Sequence, residues 1–148
     1  LSRHDAIILI DHDTNKTSQP IDFKFPPDIP VIKAMVKPSV TSSNWKGQKV
    51  FAFSGIAHPE KFLVTLQNVG CEIVNSQSFP DHHSFKSQEI EKLKVKAKSL
   101  DSKLVTTEKD YIRIPTLKKN NIDYIPIHIE FERKELMVEI LQDTLVKS

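Results

Sequence analysis

From Lys49 to Val146, short apolar runs alternate with segments of helical period, and this alternation limits the fold more than any other feature. Val50-Phe51-Ala52-Phe53 reads as a strand broken by Ser54-Gly55. Pro59 then stands where a helix begins, a position at which its missing N–H costs nothing. Phe62, Leu63, Leu66 and Val69 recur at helical spacing, and Gly70 closes that helix as a C′ residue. Cys71 to Val74 is the next strand. Ser87 is the expected N-cap of a second helix, with Glu89 in its first turn, where negative charge suits the helix dipole. Ile90, Leu93, Ala97 and Leu100 form the apolar face, and lysines fill much of the remainder as a solvated face. Lys103 to Thr107 is a third strand, and Thr107-Glu108-Lys109-Asp110 opens a loop or short helix. Asp123 to Phe131 reads as one further strand, with Ile125, Ile127 and Ile129 alternating. Lys134 to Val146 is a closing amphipathic helix. This order argues for an α/β fold with a mostly parallel sheet covered by helices.

The N-terminal third is less regular. Ala6 to Ile10 is a short, β-branched apolar run, the mark of a buried strand. Asp11 to Pro30 is polar and holds four of the nine prolines, so an irregular connection is expected there. Val31 to Val36 is strand-like and is ended by Lys37-Pro38. Thr41 to Asn44 is a loop signal beside Trp45 and Gly47. A boundary in this region divides the chain into 1–46, a strand and linker, and 47–148, the α/β domain.

At 148 residues the chain suits one domain, or one domain and a piece of another. A chain this long buries roughly 70% of its unfolded surface and needs no disulfide or structural metal to hold a core. The lone Cys71 cannot form an internal disulfide, which fits a reducing compartment. The net charge is +2, too small to argue for a nucleic-acid partner, and the cations are nearly all Lys. The longest apolar run is only Ala6 to Ile10, far short of a membrane span, and no signal-peptide pattern is visible. The chain begins at Leu1 rather than Met and reads as a piece of something longer.

In open α/β sheets, sites form at the carboxyl ends of strands. Three loops qualify: Ser54 to Pro59, Phe79 to Phe85, and Thr106 to Asp110. Asp81-His82-His83 is the densest polar cluster. A carboxylate can orient a His for proton transfer; equally, both histidines can cap the following helix or face solvent. Asp-His-His also resembles a metal phosphoesterase signature. That signature needs further Asp residues on other strands, which this sequence lacks, so no metal site is expected. Thr107 or Lys109 could contact phosphate; alternatively the segment is a solvated turn whose Asp110 caps a helix. The backbone amides after Ser54-Gly55 could hold an anion, or Gly55 supplies only a backbone conformation. His58 is expected as an N-cap or a solvent-facing residue. No Gly-x-x-x-x-Gly-Lys-Ser/Thr phosphate loop is present.

Taken together the segments become specific. Phe53-Ser54-Gly55-Ile56-Ala57-His58-Pro59-Glu60-Lys61-Phe62, Phe79-Pro80-Asp81-His82-His83-Ser84-Phe85 and Leu104-Val105-Thr106-Thr107-Glu108-Lys109-Asp110 resemble, in order and spacing, three segments of the tetraacyldisaccharide 4'-kinases, the lipid A 4'-kinases. Tyr124 to Ile127 resembles that family's closing strand, and Ser2 to Ile10 the strand that ends its N-terminal domain. The resemblance implies two α/β/α domains joined by a β-ribbon hinge. This chain then carries the C-terminal three-layer α/β/α sandwich, preceded by a strand and ribbon from an N-terminal domain that lies outside it. It implies transfer of the ATP γ-phosphate to the 4'-hydroxyl of an acylated disaccharide 1-phosphate. It also implies a peripheral enzyme on the cytoplasmic face of the bacterial inner membrane. ATP and Mg2+ are expected mainly on the N-terminal domain, so these residues alone are expected to be inactive. The family's catalytic His falls on His82, with Asp81 beside it. Gly55, His83, Thr107, Glu108, Lys109 and Asp110 are expected to line the substrate and nucleotide cleft. Two other readings stay open. One is a free-standing Rossmann-like module binding a small anion or a protein; the other is half of a metal phosphoesterase.

Overall fold

The computed structural model describes residues 6–11, 25–39 and 44–146, with side chains to residue 142. Residues 12–24 of the connection expected from Asp11 to Pro30, residues 41–43 of the loop signal at Thr41 to Asn44 and residues 2–5 of the resemblance at Ser2 to Ile10 lie outside the described residues. The elements are β1 (Ile7–Asp11), β2 (Val31–Pro38), β3 (Lys49–Ser54), α1 (Pro59–Asn68), β4 (Glu72–Ser78), α2 (Ser87–Ser99), β5 (Lys103–Thr107), α3 (Glu108–Arg113), β6 (Ile122–Ile125), β7 (Ile127–Phe131) and α4 (Lys134–Val146). They fall into two compact units: residues to Lys37 with those from His128 onward, and Pro38–Ile127.

The Pro38–Ile127 unit is a four-stranded sheet in the order β4-β3-β5-β6, parallel throughout. Alternation along β3 sends its side chains to two separate cores. Phe51 and Phe53 pack with Ile90, Leu93 and Ala97 of α2 on one face. Val50 and Ala52 pack with Phe62 and Leu66 of α1 on the other. The mostly parallel sheet flanked by helices is the expected architecture. It follows from strands that are apolar on both sides, since such strands can only be buried between layers.

Local chemistry sets the element ends. Gly70 adopts φ +88° at C′ of α1. Its N–H bonds Gln67 O and the Cys71 N–H bonds Leu66 O, a complete Schellman closure. At α2 the expected Ser87 cap is displaced by one residue. Lys86 is the N-cap, because the Glu89 carboxylate reaches back to accept the Lys86 N–H at 2.8 Å.

The expected single strand from Asp123 to Phe131 is two strands. Pro126 has no N–H to give to a ladder, and the chain leaves the four-stranded sheet there. In the other unit β1 runs parallel to β2, with Ile7 opposite Val31, and the order is β1-β2-β7. Ile32 and Ala34 are its buried centre, while Ile127 and Ile129 are about half exposed. The alternation along β7 therefore marks no buried face among the described residues.

Candidate active site

Because α1 and α2 cover opposite faces, the chain leaves β3 and β5 toward opposite sides of the sheet. Tyr111 and Ile114, at the end of α3, join the α2-side core. The carboxyl ends of the neighbouring strands β3 and β5 thus frame the crevice in which open α/β sheets place ligands.

Gly55 is the junction of that crevice. Its N–H donates to Asp110 Oδ2 at 2.9 Å, and its carbonyl accepts the His82 N–H at 3.1 Å. A Cβ on Gly55 would lie 3.1 Å from His83 Cβ and 3.2 Å from Pro80 O, so any larger residue would require this loop to give by a few tenths of an ångström. Phe79 N–H donates to Ser54 O at 2.8 Å, which ties the loop after β4 to the end of β3. That loop then turns sharply. His83 N–H closes onto Pro80 O, and His82 occupies the left-handed region at φ +60°. Histidine is among the non-glycine residues that tolerate this conformation.

Asp110 is wholly buried. Its Oδ2 also accepts from Thr107 Oγ1 at 2.9 Å, and its Oδ1 lies 3.4 Å from Arg113 Nη1. Thr107, not Asp110, is the N-cap of α3: its Oγ1 accepts the Asp110 N–H at 3.1 Å. Asp110 is neither a solvated cap nor open to solvent. Glu108 is half-buried at the first position of α3, and Lys109 is exposed. Lys109 Nζ lies 3.7 Å from Asp81 Oδ1. Thr106 Oγ1 is buried and is the buried side-chain atom left without a hydrogen-bond partner among the described residues.

The two adjacent histidines take different environments. His83 is mostly buried, stacks on Phe79 with centroids 4.7 Å apart, meets Phe85 edge-on and bonds Glu89 Oε2 at 3.1 Å. The Lys86 N–H and His83 together hold the Glu89 carboxyl below its ordinary value. His82 is exposed at 69% of its side chain. Its ring does not bond Asp81: Nε2 is 3.7 Å from Asp81 Oδ2, beyond hydrogen-bond length. Instead Asp81 Oδ1 accepts the His82 backbone N–H at 2.9 Å. The ring's partner is Arg113, with Nη2 2.8 Å from Nδ1.

The structure therefore brings Gly55, Asp81, His82, His83, Thr107, Lys109 and Asp110 to one end of one sheet. Sequence reasoning passed over Arg113. The available signal was its position three residues after Asp110, one helical turn along α3. Among the described residues, no three His, Cys, Asp or Glu side chains converge to hold a metal.

The family model for tetraacyldisaccharide-1-P 4'-kinase matches residues 1–146. A tetraacyldisaccharide 4'-kinase of Paramagnetospirillum magneticum is 31% identical over 140 residues, covering 95% of this chain and 42% of the relative. Another, of Rhodospirillum rubrum, is 32% identical over 146 residues, covering 99% and 44%. That of Parvibaculum lavamentivorans is 45% identical over 86 residues. The chain thus spans well under half the length of the curated relatives it matches. The crystal structure of LpxK from Aquifex aeolicus in complex with ATP shares the fold, with TM-score 0.60 and 24% identity over 96% of this chain and 43% of that one. On the family match over nearly its whole length, the chain belongs to the tetraacyldisaccharide 4'-kinase family.

Proposed function

We propose that the chain is the C-terminal part of a kinase that moves the γ-phosphate of ATP to the 4'-hydroxyl of an acylated disaccharide 1-phosphate. Family membership supports the reaction class. The observation that carries the site is His82, held at the β3/β5 crevice with its Nδ1 bonded to Arg113, its Nε2 3.7 Å from Asp81 Oδ2 and 69% of its side chain exposed.

Phosphoryl transfer is mainly positioning and charge stabilisation. The bond from the γ-phosphorus to the ADP oxygen breaks, and a bond from the 4'-oxygen to that phosphorus forms. The hydroxyl proton passes to a carboxylate base contributed by the rest of the enzyme. His82 orients that carboxylate through its Nε2–H, and domain closure brings the two together and excludes water. Lys109 and Arg113 are the cations this chain brings to the crevice. Gly55, Thr107 and Asp110 shape it rather than touch substrate, since they are occupied with one another. Asp81 fixes the His82 backbone, while Glu108 and His83 border the site.

ATP supplies the phosphoryl group. With no phosphate loop in these 148 residues, its cradle belongs to the N-terminal domain. Mg2+ is assigned with the ATP phosphates to the N-terminal domain: among the described residues no three ligating side chains converge, and the Asp110 oxygens already accept from three donors. No step assigned here passes through the metal. No helix among the described residues is long and apolar enough to cross a membrane. We place the enzyme peripherally on the cytoplasmic face of the inner membrane, where an acylated acceptor resides.

The test is transfer of label from γ-labelled ATP to the acylated disaccharide 1-phosphate by the intact protein. The expected result is labelled product that requires both the protein and the acceptor. No transfer would defeat the kinase reading in favour of a module that binds an anion or a protein.

A further inference from the structure

We propose that Arg113 is a positioning residue that acts through His82: by donating to Nδ1 it fixes the imidazole with its Nε2–H facing the reacting groups. This rests on the kinase reading above for its chemical consequence, although the geometry stands by itself.

A guanidinium can only donate. With Arg113 Nη2 at 2.8 Å, His82 Nδ1 must offer its lone pair. The neutral ring then carries its proton on Nε2, the nitrogen that an incoming carboxylate would meet. The adjacent carboxylate cannot do this work. Asp81 Oδ2 is 3.7 Å from Nε2, and Asp81 Oδ1 is engaged by the His82 backbone N–H and the Lys109 ammonium.

Arg113 is itself anchored. Its Nη1 faces Asp110 Oδ1 at 3.4 Å, and Asp110 is fully buried with its other oxygen bonded to Gly55 and Thr107. Side-chain exposure rises along the relay, from 0% at Asp110 to 24% at Arg113 and 69% at His82. A rigid interior carboxylate thus orients an exposed ring through one planar fork. Two nitrogens of the same guanidinium serve the two partners, a geometry that a single ammonium cannot copy. The exposed, left-handed His82 needs such a tether, since its ring has little packing to hold it.

Two measurements test this. The first is a double-mutant cycle on kcat in the intact protein. Arg113→Met should lower kcat about tenfold, a share of the roughly 10²-fold typical of proton-handling groups, with KM for both substrates unchanged. In a His82→Ala background, Arg113→Met should cost nothing further. Arg113→Lys should rescue less than half of the loss. If the losses multiply, or if KM rises instead, Arg113 meets substrate directly and the proposal is wrong.

The second measurement needs no activity: the ring 15N shifts of the neutral His82 imidazole in the intact protein. Wild type should show one tautomer, with Nδ1 unprotonated and hydrogen-bonded, and Arg113→Met should show a mixture. An unchanged ring spectrum in Arg113→Met would overturn the proposal. A changed spectrum in a protein without transferase activity would leave the relay standing and remove the kinase reading instead.

Discussion

The Gly55 N–H donates to Asp110 Oδ2 at 2.9 Å across 55 residues of sequence, and this bond joins the end of β3 to the start of α3. The Gly55 carbonyl in turn accepts the His82 N–H. One residue therefore links the buried carboxylate to the exposed histidine through its two flanking peptide groups.

Asp110→Ala should be among the most destabilising single changes in the Pro38–Ile127 unit. It removes the acceptor for the Gly55 N–H and the Thr107 hydroxyl and leaves Arg113 without its anchor. A loss of about 3 kcal/mol is expected for such orphaned groups. The urea midpoint should fall while the slope stays constant.

Gly55→Ala tests the close approach. The new methyl would stand 3.1 Å from His83 Cβ and 3.2 Å from Pro80 O, and both neighbours belong to the loop that presents His82. Overpacking of this kind costs about 1–3 kcal/mol. Transferase activity should fall further than stability does, because the displaced loop carries His82. Full activity in a folded Gly55→Ala protein would show that the approach is dispensable.

Thr106→Val tests the buried hydroxyl. Thr106 is fully buried and its Oγ1 has no hydrogen-bond partner among the described residues. Removing an unsatisfied polar group should leave stability unchanged or raise it by about 1 kcal/mol. A clear destabilisation, read as a lower melting temperature, would mean that the hydroxyl has a partner after all.

Glu89 gives the unit a local acid sensitivity. Its carboxyl is held below its ordinary 4.5, first by the Lys86 N–H and then by His83. A folded value below the unfolded one means that the stabilising contribution is complete above about pH 4.5. It is then lost as pH falls through the folded value. The stability gap between wild type and Glu89→Gln should be open at pH 6 and narrow as pH falls below 4.5. A gap independent of pH would contradict the ion-assisted cap.

Much of the fold was legible from period and punctuation. Phe62, Leu66, Ile90, Leu93 and Ala97 are buried as their helical spacing predicted, and Gly70 closes α1. The misreadings have local causes. Pro126 split what alternation joined, and Glu89 drew the α2 cap to Lys86. At the candidate site, sequence reading collected the residues but not their partners. An Asp beside a His suggested a carboxylate–imidazole bond. In the fold Asp81 bonds the His82 backbone, and the ring turns to Arg113, 31 residues away. Pairings across loops depend on the turn at Pro80 to His83, and spacing alone does not encode that turn.

The most direct measurement sets the two adjacent histidines against each other in the intact protein. His82→Ala and His83→Ala are assayed for kcat in γ-phosphate transfer to the acylated disaccharide 1-phosphate, each below its own melting temperature. His82→Ala should lose about 10²-fold or more in kcat with the fold retained. His83→Ala gives up its Phe79 stack and its Glu89 bond, so it should lose stability while keeping kcat within about threefold of wild type. Equal and small effects on kcat would contradict the assignment of His82 to the reaction and leave this loop as a structural turn.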